Sequence, residues 1–134
     1  MDLEIINIYL IRDLIHKAED SERLRVAYDL RNSPEDTSQR MLNALMPGTE
    51  VPIHRHEETN ETSICVYGKL SVHIYEQQPD GTFNQTDMVI LDPSCGSYGI
   101  QIPKGVWHNV KAISPTLICE MKDGKFVAPS SIQK

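Results

Sequence analysis

Positive charge is in short supply in this sequence: 13 Lys and Arg stand against 19 Asp and Glu, a formal net charge of -6 with a pI near 5.3. A general electrostatic attraction to phosphate backbones or anionic lipid is therefore not expected, so no nucleic acid and no membrane are predicted as partners. No apolar run approaches the roughly 18 residues of a membrane span, because Asn7, Arg12, Asp13, His16 and Lys17 interrupt the greasiest stretch. Export is not expected either: the opening Met1-Asp2-Leu3-Glu4 supplies no basic region, and no small-residue cleavage site follows. Cysteine is scarce, with Cys65, Cys95 and Cys119 widely spaced and no C-x-x-C, which favours free thiols in a reducing compartment over a disulfide framework. A cytoplasmic location is the expectation.

What remains is an ordinary globular composition, 134 residues of which 40% are hydrophobic and 24% charged, enough for one domain over 1–134 with one core. Leu10, Ile11, Leu14, Ile15 and Ala18 fall on one helical face. Residues 8–20 are predicted as a single short amphipathic helix, its charged side (Arg12, Asp13, Lys17, Glu19) turned away from a larger body. Beyond the turn-forming Asn32-Ser33-Pro34-Glu35-Asp36, short runs rich in Val, Ile, Thr and Tyr alternate with Pro-Gly and Asp-Gly turns. Strands are predicted at Met41–Met46, Thr62–Tyr67, Lys69–Glu76, Phe83–Leu91, Gly99–Ile102, Val106–Ala112 and Thr116–Lys122, with the clearest hairpin around Pro79-Asp80-Gly81. This reads as an all-β sandwich or barrel over about 38–122, with a loose tail at 128–134.

The chemistry concentrates between Gly48 and Gly68. His54 and His56 at i, i+2 on extended chain point to the same side. Glu61, at the start of the next apolar strand, can add a carboxylate, and His108, just after the turn at Pro103-x-Gly105, can add a third imidazole. Three nitrogens and one oxygen suit one divalent transition metal ion (Fe, Mn, Ni, Zn or Cu) far better than Ca. Alone, the His54/His56 pair reads as a surface pair on a polar loop; the surrounding frame shifts the balance to a metal site.

Gly48, His54, His56, Glu61 and Gly68 resemble the first motif of the cupin superfamily at every fixed position. With Gly at about 7%, His at roughly 2% and Glu at roughly 6%, chance supplies such a match with a probability on the order of 10⁻⁴ or less. Pro103, Gly105 and His108 resemble the second motif, which departs at both ends: Gly96 lies one residue too far upstream, and Ala112 stands at the final Asn position, with Asn109 directly after the histidine. Further stretches, Gln39–Gly48, Pro52–His56, Gly105–His108 and Glu120–Gly124, are similar to the WbuC-type cupin metalloproteins of bacterial polysaccharide (O-antigen) clusters, over about residues 20–128. The segment Arg25–Arg31 departs from the Asn- and His-containing stretch usual there. The resemblance implies an all-β double-stranded β-helix, or jelly-roll barrel, with one N-terminal helix, and a homodimer. It also implies a small-molecule substrate such as a sugar or sugar nucleotide.

Counting by twos from Glu61 places Ser63, Cys65 and Tyr67 on the ligand side of a regular strand. Arg25 and Arg40 are candidates for contact with an anionic substrate. His73 and Trp107 are expected to face away from the site, and His16 to be solvated. No acid/base partner is visible, so catalytic residues stay unassigned. Three functions stay open: a metal-dependent enzyme, with isomerase or oxygenase chemistry; a metal-independent nucleotide-sugar ketoisomerase or epimerase in which a histidine shuttles the proton; and a non-catalytic metal and small-molecule binding protein.

Overall fold

The computed structural model describes residues 2–131. Helix α1 (Ile8–Asp20) begins where Asn7, in extended conformation, turns its side-chain oxygen onto the N–H groups of Tyr9 and Leu10. Ile11, Leu14, Ile15 and Ala18 form the expected apolar face and are buried, while His16 on the opposite side is exposed. They pack against Leu42, Ala44 and Leu117, the outward-facing side chains of a sheet.

That sheet comprises, in spatial order, β1 (Arg25–Asp29), β2 (Gln39–Leu45), β9 (Thr116–Lys122), β4 (Glu61–Tyr67) and β7 (Gly99–Ile102). A second sheet comprises β10 (Ser130–Ser131), β3 (His54–Arg55), β8 (Trp107–Ala112), β5 (Leu70–Gln77) and β6 (Phe83–Leu91). Every pairing is antiparallel. From β2 to β9 the chain passes repeatedly between the sheets, which is the winding of a jelly roll. Leu45, Cys65, Ile102 and Ile118 of the first sheet meet Leu70, Val72 and Leu91 of the second in the core between them.

Alternation along each strand decides what faces this interior. In the first sheet the inward set includes Leu45, Cys65 and Ile118, so residues in register and at even spacing share that side, among them Asn43, Glu61, Ser63 and Glu120. Arg25 stands opposite Leu45 and joins them. The tight return from β4 to β5 requires Gly68: its φ is +88°, and a Cβ there would lie 2.2 Å from the Pro115 carbonyl oxygen.

Three strands exceed the sequence expectation. β1 and β10 are edge strands whose mixed residues carry no clean alternation, and β3 is two residues long. The expected loose tail is corrected over 130–131: Ser131 pairs with His54 and Ser130 with Arg55, and the Ser130 hydroxyl donates to Glu57. Residues 128–129 lie outside any strand, and 132–134 lie outside the described residues.

Candidate metal centre

His54 and His108 lie directly opposite each other on β3 and β8, their ring centroids 4.3 Å apart. His56 follows on the same side at 5.1 Å from His54, while Arg55 between them turns outward and stacks over Trp107 at 4.6 Å. The ligand atoms of the three imidazoles lie within 4.8 Å of one another, a group that could hold a metal ion. In His54 and His108 the Nδ1 faces a backbone carbonyl two residues back, Pro52 at 2.8 Å and Val106 at 2.9 Å. Donation there fixes the tautomer and leaves Nε2 with a free lone pair, the arrangement that orients histidine ligands in metal sites. The His108 Nε2 is one of two buried side-chain nitrogens among the described residues that lack any hydrogen-bond partner. A buried acceptor left idle beside two other imidazoles is what a divalent ion would complete.

Glu61 reaches this trio from the other sheet: its Oε1 is 3.1 Å from His56 Nε2 and 3.7 Å from His108 Nε2. Its second oxygen accepts from the Ser63 hydroxyl at 2.8 Å. Burial alone would raise the Glu61 carboxyl, but His108, His56 and Lys122 together hold it well below its ordinary 4.5. His54 is pulled down to about 4, chiefly by burial and then by the neighbouring His108. Burial lowers His108 too, yet the Glu61 carboxylate and the Val106 carbonyl leave it above its ordinary 6.5.

Behind the imidazoles lies a cavity of about 260 Å³ whose walls include Arg25, Asn43, Leu45, Val110 and Glu120 as well as His54, Glu61 and His108. Glu120 went unnoticed as a site residue in the sequence. Burial and the Glu61 charge raise its carboxyl to about 7, partly offset by Lys122, whose Nζ is 3.5 Å away. The signal was present: Glu120 is a charged residue on the inward register of an apolar strand, but the register becomes visible only once β9 is paired with β4.

The other expected pocket residues divide. Ser63 is buried against Glu61 and Arg25 lines the cavity. Cys65 points inward but is packed in the apolar core, where burial raises its thiol above its ordinary value. Tyr67 is not on the ligand side: the register shifts between Cys65 and Tyr67, and this bulge turns Tyr67 out to 43% exposure. Arg40 is likewise away from the cavity, because it alternates with the inward Asn43 register and instead donates to the carbonyls of Ser38 and Leu30 and pairs with Asp36. His73 faces outward and bonds Ser71 and Gln85, and Trp107 packs edge-on to Phe83 at 4.9 Å.

Solved structures share this architecture. Oxalate oxidase in complex with the substrate analogue glycolate matches with a TM-score of 0.64 and 13% identity, over 84% of this chain and 57% of that one. CapF with the inhibitor 3-isopropenyl-tropolone matches at 0.65 and 17%, over 85% of this chain and 33% of that one. Oxalate decarboxylase of Bacillus subtilis, in a study of its Mn(II) centres, matches at 0.59 and 20%, over 81% and 27%. The chain thus spans less than two thirds of each. These likenesses place it in the cupin jelly-roll fold. No curated protein matches the sequence. Residues 6–88, more than half of the chain, fit a family described as a domain of unknown function (DUF6016), and the chain belongs to that family.

Proposed function

We propose that this protein is a cupin metalloenzyme that holds one divalent transition metal ion through His54, His56, Glu61 and His108 and acts on a small polar substrate. The observation that carries the reading is the idle Nε2 of His108, buried in a trio of imidazoles two of which, His54 and His108, commit their Nδ1 to backbone carbonyls. Nickel, zinc, iron, manganese and copper all suit such a donor set. When bound, the ion supplies Lewis acidity that polarises a carbonyl or lowers the pKa of a water molecule. The chain's own residues do the rest. Ser63 orients the Glu61 carboxylate, the carbonyls of Pro52 and Val106 fix two imidazoles, and apolar Leu45 and Val110 limit water around the substrate. Glu120, lining the cavity with a carboxyl raised by burial and by the Glu61 charge in the metal-free protein, is the group placed to hold or release a proton beside the substrate.

The finer assignment, a sugar-derived substrate in polysaccharide biosynthesis, rests on the sequence stretches similar to WbuC-type proteins, and the cytoplasmic one on the three free cysteines. A homodimer fits the exposed apolar Ile64 and Val66 of β4, which neighbours the edge strand β7.

Metal content of tag-free protein by inductively coupled plasma mass spectrometry tests the centre. About one ion per chain is expected, reduced to background in the His54→Ala/His56→Ala double variant. Failure to take up any ion after reconstitution would overturn the assignment and leave the histidines as metal-independent proton carriers.

A further inference from the structure

The cavity holds one cation that the metal reading does not use. Arg25 is half-buried on β1, opposite Leu45, and lines the cavity. Its Nη1 donates to the Glu50 carbonyl at 2.8 Å, and among the described residues it forms no other hydrogen bond and no ion pair. The other arginines on the first sheet side differ: Arg31 pairs with Asp29 and Arg40 with Asp36. A partly buried guanidinium with no carboxylate beside it keeps donors free for an anion that enters the cavity. Its fork of donors matches a planar carboxylate in two parallel bonds.

The lining supports the same sign. With an ion in place, its two positive charges and the one on Arg25 exceed Glu61 and Glu120 even if both are ionised; burial, and then the like charge of Arg23 two residues upstream, lower Arg25 below its ordinary value. The apolar Leu45 and Val110 strengthen this field by excluding water. Asn43 stands opposite Ala27, one inward step from Arg25 along the paired strands β1 and β2, and offers a neutral donor and acceptor. The space of about 260 Å³ suits a molecule no larger than a monosaccharide.

We infer that the cavity takes a small organic acid whose carboxylate is received by Arg25 and whose opposite, hydroxyl- or carbonyl-bearing end faces His54, His108 and Glu120. The position of that opposite end and the net positive sign of the lining rest on the metal reading; the Arg25 contact itself rests on its place in the cavity and on its lack of a carboxylate partner. Arg25 is thus the residue that selects an acid over its neutral counterpart.

Isothermal titration of the full, metal-reconstituted chain with matched pairs tests this: D-galacturonate against D-galactose, and L-lactate against propane-1,2-diol. One acid is expected to bind at least about tenfold more tightly than its neutral partner, as for a charge-assisted bond. Arg25→Gln should abolish that preference while leaving the ion content per chain unchanged. Equal binding of acid and neutral partner, retention of acid binding in Arg25→Gln, or no binding of either acid would overturn the inference, as would inorganic phosphate binding in place of both. If Arg25→Gln fails to fold, Arg25→Lys, which keeps the charge and loses the fork, should still weaken acid binding severalfold; unweakened binding would overturn the inference. Arg25-dependent acid binding by a chain that takes up no ion would sustain it and overturn the metal reading, so the two fail separately.

Discussion

Glu120 and His54 line one cavity yet respond to pH in opposite senses. Glu120 has an ordinary value of 4.5 and a folded value of about 7, so between those limits the unfolded chain ionises while the folded one keeps its proton. Its contribution to stability is present below about 4.5 and is lost as pH rises to about 7. His54, ordinarily 6.5 and about 4 when folded, stays neutral where the unfolded chain takes a proton, so stability falls as pH drops from 6.5 toward 4. In metal-stripped protein, Glu120→Gln is therefore expected to match wild type near pH 5 and to melt several degrees higher near pH 8, followed by circular dichroism. A melting difference independent of pH would refute the raised carboxyl. Ser63 makes a second residue-scale case, since its hydroxyl is the donor to Glu61 Oε2. Ser63→Ala should weaken metal affinity by about tenfold or more, the usual cost of losing an outer-shell hydrogen bond, measured by competition with a chromogenic chelator.

Strand β10 belongs to the element scale, because it closes the edge of the second sheet beside β3, where Ser131 pairs with His54. Truncation before Ser130 removes that pairing and the Ser130 bond to Glu57. The expected result is a folded protein with faster metal release, read by stopped-flow chelation; an unchanged rate would mean that β3 is held by β8 alone. This element was also where sequence reading failed. The seven other strands and α1 were legible because each carries an apolar rhythm over several residues, such as Leu70, Val72 and Ile74 on β5 or Ile11, Leu14 and Ala18 on α1. β3 and β10 owe their existence to partners distant in sequence, and two-residue ladders have no rhythm to read; β1 pairs with the next strand, β2, but its mixed residues show no alternation. The same distinction governs the site. His54, His56, Glu61 and His108 were visible through fixed spacing within short segments. Tyr67 was misplaced because a bulge shifts parity, and Glu120 was overlooked because its facing depends on a register set between β9 and β4.

At the scale of the whole molecule, the candidate centre joins the two sheets. His54 and His108 stand on the second sheet and Glu61 on the first, while α1 packs on the far side of the first and touches none of them. An ion gripping both sheets binds the native assembly and finds no comparable site in the unfolded chain, so its binding free energy adds to folding stability. At a free-ion concentration about 100 times the dissociation constant, that addition is about 2.7 kcal/mol. For a domain of this size it corresponds to a rise in melting temperature of several degrees or more. Calorimetric melting of wild type should therefore rise with added ion and fall back with a chelator, whereas the His54→Ala/His56→Ala variant should melt at one temperature in both. Disruption of the helix cap by Asn7→Ala provides the contrast: it should lower stability by about 1 kcal/mol and leave the ion-dependent increment intact, because α1 lies across the first sheet from the centre. An increment that shrank with the cap would mean that the outer helical layer and the interior site are coupled through the first sheet, and the metal-bridged core would no longer be an independent unit.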